Sequence, residues 1–166
     1  MIDTSPYLHC ECLRMANGHD VCQGELTLQE KGKKVTLSLR ANEEAKAVVL
    51  DGCVFRDNDL KCDALFLFKS YNRKVAALVE LKGAGYISHA YEQLAYTRYN
   101  RSEYRHLKQN LDQSGPGQLK EMAFIVTNGM LSKPEREKLE DRYGLRVNEV
   151  LKSEPTSKIP DLRVYF

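Results

Sequence analysis

Five consecutive apolar residues, Val75-Ala76-Ala77-Leu78-Val79, run straight into Glu80-Leu81-Lys82. A strand that is apolar on both faces of its pleat belongs inside a sheet covered on both sides, so the chain must build layers around it. Because side chains alternate along a strand, Glu80 and Lys82 share one face with Ala76 and Leu78, and both charges are presented together at the strand's end. The preceding segment carries a matching oddity: Asp63 stands among Cys62, Ala64, Leu65, Phe66, Leu67 and Phe68. Polar Lys69 to Lys74 separates the two runs as a turn. A symmetric hairpin that pairs Phe68 with Val75 carries the same register back to Asp63 and Glu80.

The rest of the pattern predicts an α/β chain. Residues 24–40 alternate as a β-hairpin with a turn at Gln29 to Lys34, and Asn42 to Leu50 opens with an N-cap residue and an acidic first turn, which predicts a short helix. Cys53-Val54-Phe55 is strand-like, Ser88 to Leu111 predicts one long helix, and Gln113 to Gly117 breaks the chain. Met122 to Thr127 then predicts a strand, Lys133 to Tyr143 a helix and Leu145 to Leu151 another strand, with Leu162 to Phe166 as a final edge strand. At 166 residues this amounts to a single domain: an N-terminal extension over 1–40, a core over 42–151 and a tail over 152–166.

Composition removes several classes. The 25 Lys and Arg against 23 Asp and Glu leave a net charge of +2, so any nucleic-acid surface must be local. No apolar run approaches the ~20 residues of a membrane helix. The N-terminus shows no basic segment followed by an apolar stretch, which predicts a cytoplasmic protein with its five cysteines reduced.

Two carboxylates directly opposed on a hairpin, with Cβ atoms about 5 Å apart beside an apolar core, repel each other and lose hydration. A divalent cation removes that penalty. Mg²⁺ takes oxygen ligands and commonly uses one or two protein carboxylates. Lys82, one pleat further along, is then placed to orient water or to stabilise charge on a phosphoryl oxygen.

With Lys61-Cys62-Asp63 on one strand and Glu80-Leu81-Lys82 on the next, the sequence resembles the PD-(D/E)XK nuclease superfamily, Cys62 standing where that family has proline. The resemblance implies a restriction-endonuclease-like αβββαβ core, a central mixed sheet flanked by helices, with the N-terminal β-hairpin added. It implies a Mg²⁺-dependent DNA endonuclease, with Mn²⁺ able to substitute and DNA favoured over RNA. Asp63 and Glu80 would be metal ligands, the Leu81 carbonyl would complete the shell, and Glu44, or its neighbour Glu43, would supply a helical acid. Gln93 in Gln93-Leu94-Ala95-Tyr96 is similar to the glutamine of the RecB-like branch and would orient Lys82 or substrate. The alternative is a non-catalytic nucleic-acid-binding or complex-assembly subunit that keeps the fold. One compact domain leaves targeting to self-association or to a partner protein.

Five tyrosines from Tyr86 to Tyr104, interspersed with His89 and arginines, predict a binding surface in which Tyr96, Arg98, Tyr99, Arg101 and Arg105 meet phosphates or bases. Asn128, at a strand-end turn, joins them. A second constellation, Cys10, Cys12, His19 and Cys22, offers soft ligands for a structural Zn²⁺.

Overall fold

The computed structural model describes residues 1–14 and 20–166. Its elements form a five-stranded mixed sheet and a three-stranded antiparallel sheet, with three α-helices. The small sheet comprises β1 (Cys22–Gly24), β2 (Thr27–Glu30) and β3 (Lys33–Thr36). Its β2–β3 turn is the two residues Lys31 and Gly32, both at positive φ (47° and 79°), the backbone that a two-residue hairpin requires. The main sheet has the order β4 (Glu44–Val49), β5 (Ala64–Lys69), β6 (Arg73–Lys82), β7 (Gln118–Thr127) and β8 (Glu149–Lys152). The first three strands form an antiparallel meander, and β7 and β8 continue it in parallel. Parallel pairing of β6 with β7 needs a crossover, supplied by α1 (Ile87–Asn100) and α2 (Ser102–Gln113); α3 (Lys133–Tyr143) makes the second.

Strand β6 is the buried centre, with Lys74 to Leu81 all withdrawn from solvent. Helices cover the face bearing Lys74 and Lys82: Lys74 Nζ donates to the Asp112 and Gly115 carbonyls, and Lys82 reaches Gln93 on α1. The Phe68 and Phe124 face takes the C-terminal segment, with the Phe166 ring 5.3 Å from Phe68 and 6.4 Å from Phe124. The small sheet is tied to that segment through a Thr36–Asp161 bridge and to the loop after β8 by the Lys34 amide, which donates to Ser153 Oγ at 2.8 Å.

Helix α3 lies where its signals place it. The Ser132 hydroxyl accepts from the Glu135 amide, the Glu135 carboxylate accepts from the Ser132 amide, and Gly144 ends the helix at φ 62°.

Several elements differ from expectation, each for a non-local reason. Residues 44–49 form β4, because the fully buried β5 needs a partner on its outer edge, and pairing overrides the helical propensity of Glu, Ala and Lys. Asn42 sits at φ 65° in the turn before it, so it is a turn residue and no helix cap. Cys53 to Phe55 lies in a turn opened by Gly52 at φ 82°. The long helix divides at Arg101, whose backbone is extended (φ −97°, ψ 111°). Strand β8 is shorter than read, the Asn148 side chain accepting from the Ala123 amide just before it. Leu162–Tyr165 is a 3-10 turn capped by Asp161 and forms no edge strand.

Four of the five cysteines are paired, contrary to the reading of reduced thiols: Cys10 with Cys53 and Cys12 with Cys22. Cys62 is the free one and is buried. An odd count is as compatible with two bridges and one core thiol as with five thiols. The first bridge spans 43 residues and ties the N-terminal segment to the turn after β4. Loop-closure entropy over that length predicts that the double variant Cys10→Ser, Cys53→Ser loses about 4 kcal/mol, read from urea unfolding as a lower midpoint with a steeper slope, since the unlinked denatured chain exposes more surface.

No helix among the described residues is long and apolar enough to cross a membrane.

Candidate functional site

The register inferred for the hairpin is the one observed. Ala64 pairs with Val79 and Phe68 with Val75, so Asp63, one residue before β5, falls opposite Glu80. There the ladder gives way to side chains. The Asp63 amide donates to Glu80 Oε2 at 3.0 Å, and the Leu81 amide donates to Asp63 Oδ2 at 2.8 Å. Each carboxylate thus takes over a backbone bond at the point where the strands part. Both residues are almost closed to solvent, at 8% and 1% exposure.

Lys82 completes the group. Its Nζ lies 3.1 Å from Glu80 Oε1 and donates to Gln93 Oε1 at 2.6 Å. Gln93 is itself fixed by donating from Nε2 to the Lys61 carbonyl at 2.9 Å. One turn further along α1, Thr97 Oγ1 accepts from the Cys62 amide at 2.9 Å. Helix α1 therefore clasps the segment that carries Asp63.

Burial is the main cause that pushes the Asp63 carboxyl up to about 7, and the nearby Glu30 and Asp51 charges add to it; the Leu81 amide and Lys82 oppose it. Glu80 is pushed up well beyond the usual carboxylate range, first by burial and then by Asp63, against the pull of Lys82. Buried Cys62 is raised too, which keeps it an unreactive thiol.

Asp63, Glu80, Leu81, Lys82 and Gln93 line one cavity of about 340 Å³. Its walls include residues that sequence reading did not place there. Glu30, Lys31 and Lys33 come from the β2–β3 hairpin, Asp51 from the turn after β4, and Gly83, Tyr86 and His89 from the entry to α1. Tyr86 and His89 were visible only as members of an aromatic, basic stretch. The hairpin residues carried no signal, because nothing local says which part of the chain a hairpin will cover.

No family model, curated protein or solved structure matches this chain. The reading of the site therefore rests on its geometry.

Other expected site residues lie elsewhere. Glu44 pairs with Lys69 at the far end of β5, about 20 Å along the strand from Asp63, and accepts from the Ile2 amide. Glu43 holds Arg163 through two bonds of 2.6 and 3.0 Å. Both acids leave the site because their segment is a strand running away from it.

Arg101 is buried and grips Asp57 with both terminal nitrogens, at 2.6 and 2.8 Å. It also donates to the Leu60 carbonyl and lies over the Phe55 and Tyr96 rings. Arg101→Ala is expected to cost about 2–3 kcal/mol of stability by denaturant unfolding, because it strips the 57–60 loop of its partner. Arg98 pairs with Glu121. Tyr99 donates to the Gly144 carbonyl, and Arg105, exposed, donates to the Tyr99 carbonyl. Asn128 is exposed in the turn after β7. None of these six residues lines the cavity that Asp63 and Glu80 share.

The zinc set is corrected as well. Cys10, Cys12 and Cys22 are held in disulfides, so their sulfurs are not thiolate ligands, and His19 lies outside the described residues.

Proposed function

We propose that this chain is a divalent-metal-dependent phosphodiester hydrolase of nucleic acid, an endonuclease acting on DNA in preference to RNA, with a PD-(D/E)XK-type site. The observation that carries the reading is the pair Asp63 and Glu80, both nine-tenths withdrawn from water, facing each other in one cavity beside Lys82. The donor set is made of carboxylate oxygens, which suits Mg²⁺ or Mn²⁺ and not a soft metal. The antiparallel meander β4-β5-β6, the helical crossover and the parallel β7 support a restriction-endonuclease-like βββαβ core.

In this reading Asp63 and Glu80 hold the cation, with the Leu81 carbonyl at their side. The bound ion supplies Lewis acidity and lowers the pKa of water. Glu80 and Gln93 fix the Lys82 ammonium, which orients the attacking water and offsets charge growing on a phosphoryl oxygen. Gln93 is a positioning residue, aligned by the Lys61 carbonyl.

The reciprocal amide bonds of Asp63 and Glu80 favour a second reading, a strand-end clasp in a non-catalytic nucleic-acid-binding or assembly subunit. Incubation with circular single-stranded DNA and supercoiled plasmid separates the two. A nuclease linearises circles with Mg²⁺ or Mn²⁺ and stops on chelation; intact circles in both metals leave the clasp.

A further inference from the structure

We propose that the cavity admits a single polynucleotide strand and excludes an intact duplex, with the β2–β3 hairpin tip holding phosphate and Tyr86 stacking a base. This rests on the phosphodiesterase reading of Asp63, Glu80 and Lys82 and names the substrate that such a site takes.

The first ground is depth. Asp63 and Glu80 are scarcely reached by water, and two further parts of the chain line the cavity with them: Glu30, Lys31 and Lys33 from the hairpin, and Gly83, Tyr86, His89 and Gln93 from the entry to α1 and its second turn. The cavity, of about 340 Å³, lies at the small end of the range for small-molecule sites. A duplex presents its phosphates on the outside of a stiff rod. A phosphate reaches carboxylates so buried only when its strand leaves that rod, the same constraint that obliges enzymes acting inside a pocket to take single strands or extruded nucleotides.

The second ground is what the walls carry. Lys33 is only 7% exposed, yet it lines this cavity, and its Nζ is bonded to the Lys31 carbonyl at 3.1 Å. An ammonium has three donors, so two remain for a ligand. Lys31 stands exposed at the tip. Tyr86 lines the same cavity and is 67% exposed, with its ring against Gly83, one residue beyond Lys82. Two lysines, set beside Glu30 on the hairpin, and an exposed aromatic ring lining the same cavity are the pairing that single-strand binders use. The arginines offered by sequence do not compete for this role: Arg101 and Arg98 are bound to Asp57 and Glu121, and neither they nor Arg105 line the cavity.

The test is fluorescence anisotropy on the intact chain with Ca²⁺, using a fluorescein-labelled 20-mer of thymidylate, alone or annealed to the adenylate 20-mer. The strand is expected to bind at least about tenfold more tightly than the duplex. Tyr86→Ala should weaken strand binding about tenfold. Lys31→Asn with Lys33→Gln should lower the slope of log affinity against log salt by about 1.4, the share of two phosphate contacts on a single strand. Asparagine is chosen because it tolerates the positive φ at position 31. Circular dichroism melts confirm that each variant folds. Equal or tighter binding of the duplex, absence of strand binding, or variants that leave affinity and slope unchanged would each overturn the proposal. Strand binding with the expected variant effects, in a protein that cuts nothing with Mg²⁺ or Mn²⁺, would instead remove the hydrolase reading and leave the single-strand site standing.

Discussion

If the proposed chemistry holds, Glu80→Gln, Asp63→Asn and Lys82→Met should each reduce Mg²⁺-dependent cleavage of circular DNA by about two to three orders of magnitude. The sizes follow from what is removed. A neutral amide keeps the shape and the strand-end hydrogen bonds but takes away the charge that would hold a cation, and loss of one preorganised charge-stabilising group costs about 10²–10³ in rate. Methionine keeps the packed stem of Lys82 while deleting the ammonium shared by Glu80 and Gln93. Gel assays of nicked and linear product against time read the rates. Near-native cleavage by a folded Glu80→Gln protein would sink the assignment, since Glu80 is the one carboxylate that β6 brings to the cavity.

Without divalent metal, the protein should become less stable as pH rises from about 4 to about 7. The unfolded chain releases the Asp63 proton near the usual 3.8, whereas the folded chain retains it to about 7. Between those limits the folded state binds more protons, so raising the pH favours unfolding; below the window both states are protonated and the penalty vanishes. Glu80, shifted in the same direction, adds to the trend. Urea midpoints in EDTA should therefore be lower at pH 8 than at pH 5, by up to a few kcal/mol in free energy. Asp63→Asn should flatten the profile and be more stable than the parent at pH 8. Adding Mg²⁺ should restore the parent most at the high end, by about 2.7 kcal/mol at a hundredfold excess over its dissociation constant. Parallel pH profiles for parent and variant would show that Asp63 carries no such burden.

The centre of this molecule was legible because its signal is local. An all-apolar run ending in Glu80-Leu81-Lys82 places β6, and a symmetric turn sets Asp63 against Glu80; the observed pairing of Ala64 with Val79 has that register. Gln93 was reachable too, since α1 follows β6 at once and its second turn returns to the strand's end. What sequence missed depends on contacts across the fold. Residues 44–49 are helix formers by composition and a strand by partnership with β5. The arginines of the crossover looked solvent-facing, yet Arg101 is spent on a loop some forty residues earlier. The hairpin wall of the cavity follows from how the small sheet is moored to Asp161 and Ser153, more than a hundred residues away.

The bridge between Cys10 and Cys53 has a practical corollary at the bench. Cys53 lies two residues from Asp51, so the turn that lends an acid to the cavity is also the anchor of the N-terminal segment. Both cysteines are buried, at 0% and 7% exposure, and a reductant that opened the bridge would release the N-terminal segment from the turn that carries Asp51. Oxidised and reduced protein would then present two differently shaped mouths of one cavity.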